Sequence, residues 1–570
     1  MPCHKFKMKL PIKNRENSIF YILLFIVLFI EFFYLKLQVG GSSHSIFYLI
    51  KSTLADSSLM MLFCLLLRNY WKYLTLLIPV IISFFAIINI LYFRYFEELI
   101  PFSYYGFGGG LNNIVLKSAL SVIIYWDVII FAASLLPTLY VVVFLKNTKF
   151  ISSKPGVNFI IADGIIILLS WFFSILSTNG HIKEKYPTYS FGDVLKSQLF
   201  SDQTSWTETF EYFHGTGYVV RGIIEDFFTK GRENLNEEGI NEYLSNKGKH
   251  SFILDLEGTR PQNLIFIVVE SLQSNVFENS NIDYIFPNLA NLYNDSTTIH
   301  VDCTSLVGLG NSSDAQLMYN TGLLPLRNES FTVRYSQRNF PSLAKALGMN
   351  SLEIIGEKGN IWNHKFTTKS FGFDKLIDNV ANWGTFNQDS LIFKEAEAQL
   401  SQLSQPFFLF ITSLSMHPSY SESNTSHSLN PQLLDYTDKN IIEYFQRLNH
   451  FDTQLGIFFN FLKTHELYDN SLIVIVGDHP ILDPDIPEYF KTDKVPALIV
   501  NSPKYEYRKE NITQIDLFPT ILDIFRKHCV VGEREYYGLG TSIFNPTAEY
   551  PSEKDYIISA LLIKNNVPLP

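Results

Sequence analysis

Apolar runs of two lengths divide this chain. In the first third they are long: about 18–37 (SIFYILLFIVLFIEFFYLKL), 46–67, 73–95 (YLTLLIPVIISFFAIINILYFRY), 122–145 and 158–177. Each reaches the roughly 20 residues that a helix needs to cross a bilayer. Beyond residue 260 the runs shorten to strand length: NLIFIVV (263–269), SLEII (351–355), FFLFIT (407–412), SLIVIVG (471–477) and VPALIV (495–500). They are continuous rather than alternating, as expected of strands buried on both faces. Helix-like stretches separate them: FPSLAKALG, FKEAEAQLSQL and YTDKNIIEYFQRLNHFDTQLGIFFNFLKTH. Strands alternating with helices predict an α/β fold with a mostly parallel sheet flanked by helices. Between the two regimes, 178–258 mixes polar and aromatic residues and reads as a juxtamembrane helical linker. Its charged part, ENLNEEGINEYLSNKGK, reads as a solvated helix or connector. The expected organisation is a five-helix transmembrane domain over 1–177, a linker over 178–258 and an extracytoplasmic catalytic domain over 259–570.

Charge placement sets the expected orientation. The N-terminus (MPCHKFKMKLPIKNR), the connector around Arg68–Lys72 and KNTKFISSKPG after the fourth span are basic. With five alternating spans all three fall on one side, which the positive-inside rule makes the cytoplasm. An odd number of spans then leaves the C-terminal domain outside. The first span is too long for a cleaved signal peptide and no small-residue cleavage site follows it. A net charge of −10 without a basic stripe argues against a nucleic-acid partner. Of four cysteines only Cys303 and Cys529 lie in the outer part, enough for one bridge at most, and none forms a C-x-x-C zinc pair. Glu31, Asp56, Asp127 and Asp163 within the spans raise transport as a secondary reading, because intramembrane charges are costly.

In parallel α/β sheets ligands bind beyond the carboxyl ends of the strands. Here those ends carry chemistry. NLIFIVV runs into Glu270-Ser271, SLIVIVG into Asp478-His479, and FFLFITSLSM into His417. A fourth stretch, GLGNSSDAQLM, places Ser312 and Ser313 after a flexible run and before a helix, with Asp314 positioned to cap its backbone donors. The start of a helix also favours a phosphate. Two carboxylates, an imidazole and a hydroxyl can surround one divalent cation. Mostly oxygen with one nitrogen suits manganese or magnesium, with zinc as a further alternative. Such a cation would lower the pKa of the Ser312 hydroxyl and neutralise an incoming phosphoryl group.

Six pieces recur together across about 260–545: IVVESLQS with Glu270, GNSSDAQLM with Ser312, IWNHKFTTKSFGFDKLID with Trp362, SLSMHPSY with His417, YDNSLIVIVGDH with Asp478 and His479, and QIDLFPTIL around Asp516. With the five-span anchor, they resemble the lipoteichoic acid synthase type of membrane phosphoglycerol transferase, in the alkaline phosphatase and sulfatase superfamily. The resemblance implies a metal held by Glu270, Ser312, Asp478 and His479, and a covalent phosphoglycerol intermediate on Ser312, where close relatives usually carry threonine. It implies transfer from a phospholipid such as phosphatidylglycerol to a cell-envelope polymer or glycan, by an enzyme of the cytoplasmic membrane. Headgroup contacts are implied for Glu357 (where aspartate is usual), Trp362, His364 and His417. Ile355 stands where a histidine is usual, and His364 where an arginine is usual. A histidine lacks arginine's bidentate fork and donates with pH dependence. The headgroup and acceptor are therefore left open.

Other readings are a phosphoethanolamine transferase, a phosphodiesterase using water, and a non-catalytic membrane-anchored scaffold. Phosphoethanolamine transferases usually carry several outer disulfides, which two cysteines cannot supply. Retention of all four implied ligands weighs against the scaffold. A formylglycine sulfatase would need Cys or Ser followed by x-Pro-x-Arg, and neither Cys303-Thr-Ser-Leu-Val nor Ser312-Ser-Asp-Ala-Gln fits.

Overall fold

The computed structural model describes residues 12–144 with breaks, short pieces between 164 and 244, and 261–565 almost throughout. The chain divides into two compact units, Met1–Arg232 and Glu233–Pro570.

In the first unit the apolar runs form α1 (Ile12–Val39), α2 (Ile46–Leu67), α3 (Lys72–Phe96), α4 (Tyr125–Ala133) and α5 (Leu136–Phe144). Four stretches are long and apolar enough to cross a membrane: Ile19–Val39, Ile46–Leu65, Leu76–Arg94 and Tyr125–Val143. The continuous helix expected over 122–145 is corrected to two helices joined by a turn at Ser134–Leu135. The sequence explains the break, because Pro137 has no N–H to offer the preceding turn. Ser134 Oγ instead donates to the Phe131 carbonyl at 2.6 Å. Apart from 164 and 165, the fifth expected span (158–177) lies outside the described residues, as does most of 178–258. Phe20, Leu24 and Leu28 of α1 pack with Met61, Cys64 and Ile78 in a shared core.

Two of the span carboxylates, Asp56 and Asp127, are paired with cations. Lys36 Nζ lies 2.7 Å from Asp56 Oδ2, and Asp56 Oδ1 accepts the Gly215 N–H at 3.2 Å. Arg94 Nη1 donates to Asp127 Oδ2 at 2.7 Å, Tyr34 donates to Asp127 Oδ1 at 2.8 Å, and Arg94 also reaches Gln38 Oε1 at 2.7 Å. Asp163 lies outside the described residues.

The second unit is built on a seven-stranded sheet of order β2-β7-β6-β1-β5-β3-β4. The strands are β1 (Asn263–Val269), β2 (Ile299–Thr304), β3 (Asn350–Ile355), β4 (Lys375–Ile377), β5 (Phe407–Thr412), β6 (Ser471–Gly477) and β7 (Lys494–Val500). β6, β1, β5, β3 and β4 run parallel, while β7 and then β2 add antiparallel at one edge. A separate hairpin joins β8 (Cys529–Val531) to β9 (Arg534–Tyr536). Flanking helices are α6 (Pro287–Asn294), α7 (Ser312–Thr321), α8 (His364–Phe371), α9 (Gln388–Leu400), α10 (Lys439–Thr464), α11 (Leu517–Phe525) and α12 (Glu553–Asn565).

β1 is wholly buried because it has a core on each side. Leu264, Phe266 and Val268 face residues of α7, α11 and α12. Ile265, Ile267 and Val269 face residues of α6, α9 and α10. Burying each such side chain stabilises the fold by about 1.5–3 kcal/mol, so the central strands are its most fixed part. Asp438 caps α10, its carboxylate accepting the N–H groups of Asn440 and Ile441. The charged segment expected to be solvated is corrected in part: Ile240 and Leu244, one helical turn apart, are buried in the first of these cores. Tyr243 between them donates to Asp555 at 3.1 Å. Cys303 is a free, buried thiol on β2.

Candidate active site

β1 and β6 pair in register up to Val269 opposite Gly477, so the next residues, Glu270 and Asp478, leave the sheet side by side. A side chain at 477 would bring its Cβ to 2.0 Å from the Leu272 carbonyl oxygen, so the turn after β1 closes only over a glycine. That turn places Ser271 at φ 53°. Its N–H donates to Asp478 Oδ1 at 2.7 Å, and the His479 N–H donates to the same oxygen at 2.7 Å. Glu270 is fixed from two directions. Its N–H donates to Ser413 Oγ at 3.0 Å, and its Oε1 accepts from Ser271 Oγ at 2.8 Å.

Ser312 opens α7, preceded by Asn311 at φ 44°, ψ −120°. Such backbone costs on the order of 1–3 kcal/mol and persists only where the surroundings enforce it. Here Asp314 enforces it, in a way that corrects its expected role. Its Oδ2 turns back to accept the N–H groups of Gly308 and Gly310, both at 2.9 Å, and makes no cap on its own helix. A Cβ at residue 310 would lie 2.2 Å from Asp314 Oδ1, so the wrapped loop requires glycine there. Burial pushes the Asp314 carboxyl up to about 7, against the two glycine amides.

The result brings Ser312 to the strand ends. Its Oγ lies 3.3 Å from Glu270 Oε2 and 3.3 Å from His479 Nε2. His479 Nε2 is 3.6 Å from Glu270 Oε1 and 3.4 Å from Asp478 Oδ2. Glu270, Asp478 and His479 each offer a ligand atom within 4.8 Å of the others, and all three are buried.

The donor set fits a divalent cation. Among the described residues, Asp478 Oδ2 is buried without a hydrogen-bond partner. His479 Nδ1 lies 2.9 Å from the Pro480 carbonyl, which fixes the proton there and leaves the Nε2 lone pair directed at the carboxylates. Burial and the nearby Glu270 charge raise the Asp478 carboxyl above its usual range. Burial pushes the His479 imidazole down, but the Asp478 and Glu270 carboxylates outweigh it and hold it above its ordinary value. Two buried carboxylates this close require compensating positive charge, which a proton or a metal ion can supply.

The other expected site residues form a second group. Glu357 follows β3, and its Oε1 lies 3.1 Å from His364 Nε2 at the start of α8. Burial pushes the Glu357 carboxyl up, but the His364 contact outweighs it and the carboxyl is held below its usual range. Burial likewise pushes His364 down, and Glu357, with Glu353 and Asp378 beyond, holds it above its usual range. Among the described residues, His364 Nδ1 is buried without a hydrogen-bond partner. Trp362 and Asn363 lead into α8 at φ 48° and 58°. His417, within electrostatic reach of Glu357, turns Nδ1 to the Pro418 carbonyl at 2.7 Å. Ile355 ends β3 and is fully buried. A polar chain approaches the nucleophile loop: Asn363 Nδ2 donates to the Thr332 carbonyl, and the Thr332, Ser330 and Ser313 hydroxyls lie in succession at 2.8 and 3.0 Å.

Some supporting residues carried little signal in the sequence. Asp389, at the start of α9, accepts the N–H groups of Leu414 and Ser415 and so shapes the loop that carries Ser413 and His417. Ser271 reads as an ordinary residue after a strand. The Gly310-x-x-x-Asp314 spacing could have announced the wrapped loop, because an aspartate can hold the amides of a preceding glycine turn.

Residues 262–527 match the family model described as Sulfatase. Lipoteichoic acid synthase 1 of Bacillus subtilis (strain 168) is 26% identical over 521 residues, covering 82% of this chain and 75% of that protein. Lipoteichoic acid synthase 2 of the same organism is 32% identical over 239 residues, 38% of this chain and only 35% of that protein's length. Among solved structures, the lipoteichoic acid synthase LtaP from Listeria monocytogenes superposes with a TM-score of 0.41 at 21% identity, covering 57% of this chain and 97% of that one. Residues 262–527 are thus similar to the sulfatase family, and the chain along most of its length is similar to lipoteichoic acid synthases.

Proposed function

We propose that the protein is a metal-dependent, membrane-anchored transferase. In this reading it moves a phosphoglycerol headgroup from phosphatidylglycerol, through a covalent intermediate on Ser312, to a polymer or glycan of the cell envelope. The observation that carries the reading is the convergence of Ser312 Oγ on Glu270 and His479, each at 3.3 Å, at the carboxyl ends of β1 and β6. The relatives named as lipoteichoic acid synthases support the same reaction class.

Glu270, Asp478, His479 and Ser312 would hold one divalent ion, manganese first and magnesium or zinc as alternatives. When bound, that ion supplies Lewis acidity and neutralises phosphoryl charge. The side chains do the rest. Ser312 Oγ forms a bond to phosphorus, the P–O bond to diacylglycerol breaks, and the departing alkoxide takes up the proton that Ser312 gives up. An acceptor hydroxyl then attacks the same phosphorus, the P–O bond to Ser312 breaks, and Ser312 recovers a proton. Trp362, His417, His364 and Glu357 would orient the headgroup.

In this reading the four apolar stretches, each long enough to cross a membrane, anchor the chain there. Basic connectors support a cytoplasmic N-terminus and an extracytoplasmic catalytic domain over 259–570. Such an anchor keeps the site among lipid headgroups and raises their effective concentration. Headgroup-labelled phosphatidylglycerol in vesicles tests the reading. Ser312→Ala should abolish formation of diacylglycerol and of labelled enzyme while the protein stays folded. Substantial residual turnover would remove Ser312 from its role.

A further inference from the structure

Gln514 lies outside every residue assigned above, yet its amide joins the two halves of the site. It is fully buried at the start of a tight turn, Gln514–Asp516. Asp516 fixes that turn, its Oδ2 accepting the Thr513 N–H at 2.8 Å and an Arg508 N–H at 2.9 Å, its Oδ1 the Thr541 N–H at 2.7 Å. Thr304, at the end of β2, donates its N–H to the Ile512 carbonyl at 2.8 Å, so the turn is also locked to the sheet edge.

From this base the Gln514 side chain reaches two ways. Nε2 donates to the Asp478 carbonyl at 2.6 Å and to Tyr319 Oη at 2.7 Å. Tyr319, on α7, donates in turn to the Gly477 carbonyl at 2.6 Å. Oε1 accepts the Leu306 N–H at 2.8 Å and the Ser305 hydroxyl at 3.2 Å. Both amide hydrogens and both oxygen lone-pair directions are therefore used. One end holds the backbone of Gly477-Asp478, which delivers two of the cation-site side chains. The other holds 305–306, the strand exit leading into the Gly308–Ser312 loop. Tyr319 adds a tie from the helix that Ser312 opens.

We infer that Gln514 is a positioning residue that sets the spacing between the nucleophile Ser312 and the Asp478–His479 arm of the cation site. This rests on the reading proposed above. Satisfied buried amides of this kind specify one arrangement, because any shift leaves a polar group unpaired. A misplacement near 1 Å in such a site can cost roughly a hundredfold in rate.

The test uses the full-length chain in detergent with headgroup-labelled phosphatidylglycerol and Mn2+, comparing Gln514→Met, Gln514→Glu and Ser312→Ala. Methionine keeps the volume and removes every hydrogen bond. Glutamate keeps the acceptor to 305–306 and removes the donors to Asp478 and Tyr319. Both Gln514 variants are expected to lower kcat per folded molecule at least about tenfold with KM within about twofold, and to weaken Mn2+ binding in calorimetry about 10–100-fold, as loss of an outer partner to a metal ligand does. If Gln514→Met does not fold, Gln514→Glu decides. Wild-type kcat and Mn2+ affinity in the folded variant, with activity lost only in proportion to the amount of protein that folds, would overturn the inference. If Ser312→Ala keeps turnover, the proposed function fails instead, and the inference with it.

Discussion

Buried charge occurs in both units of this molecule, and the two sets differ in how they are balanced. In the membrane unit Asp56 and Asp127 each face a cation at 2.7 Å, and Asp127 takes a tyrosine hydroxyl as well. In the outer unit Glu270 and Asp478 lie beside the His479 imidazole, and among the described residues Asp478 Oδ2 has no hydrogen-bond partner. The first arrangement is closed: the charges neutralise one another and hold helices together. The second is open, with more negative charge than its own side chains compensate. Closed pairs inside the spans give Asp56 and Asp127 a structural role. Glu31 stands apart, since both of its oxygens are buried without a hydrogen-bond partner among the described residues.

The largest expected effect tests the open set. Glu270→Gln should weaken Mn2+ binding by more than the roughly 10–100-fold that losing an outer partner costs, and turnover should fall with it. Calorimetry on the purified chain reads this directly, and unchanged affinity would break the contrast. Saturating Mn2+ should also stabilise the outer unit by about 2.7 kcal/mol at a hundred times its Kd, seen as a higher unfolding temperature that chelation reverses.

Next comes the closed set. Arg94→Leu leaves Asp127 buried without its cation, and breaking such a pair costs about 3–5 kcal/mol. The double variant Arg94→Leu, Asp127→Leu should recover part of that loss, because no buried charge is left uncompensated, while Tyr34 and Gln38 each lose a partner. Thermal unfolding in detergent checks both, with kcat per folded molecule unchanged. A kinetic defect in the folded double variant would mean that the pair takes part in function.

The smallest effect is a pH dependence on the Glu357–His364 side. Glu357 is depressed below its ordinary 4.5 and His364 raised above its ordinary 6.5, so both are charged together in between. The stabilisation from His364 is complete below 6.5 and is lost as pH rises through its raised value. That from Glu357 is complete above 4.5 and is lost as pH falls through its lowered one. KM for the lipid donor should therefore rise on the alkaline side, and His364→Gln should flatten that arm. An unchanged alkaline limb in His364→Gln would assign it to another group.

Periodicity and punctuation determined much of this protein in advance. The strands at 263–269, 407–412 and 471–477 lie where their continuous apolar runs predict, because a strand buried on both faces has no polar position to disguise it. Glu270, His417 and Asp478-His479 were conspicuous for the same reason, as charge placed directly after such runs. β2 escaped notice because IHVDCT alternates buried and exposed positions at the sheet edge, and β4 because three residues carry no pattern. The break at Pro137 was written in the sequence but masked by the apolar run around it. What only the tertiary structure decided is where side chains on separate segments meet. Asp314 turns back to glycines instead of capping its helix, Ile240 and Leu244 leave solvent for a core, and Gln514 ties Asp478 to the loop before Ser312. Local sequence fixes which backbone conformations are cheap. The partner of a buried amide or carboxylate is chosen by whatever the packed chain leaves within 3 Å of it.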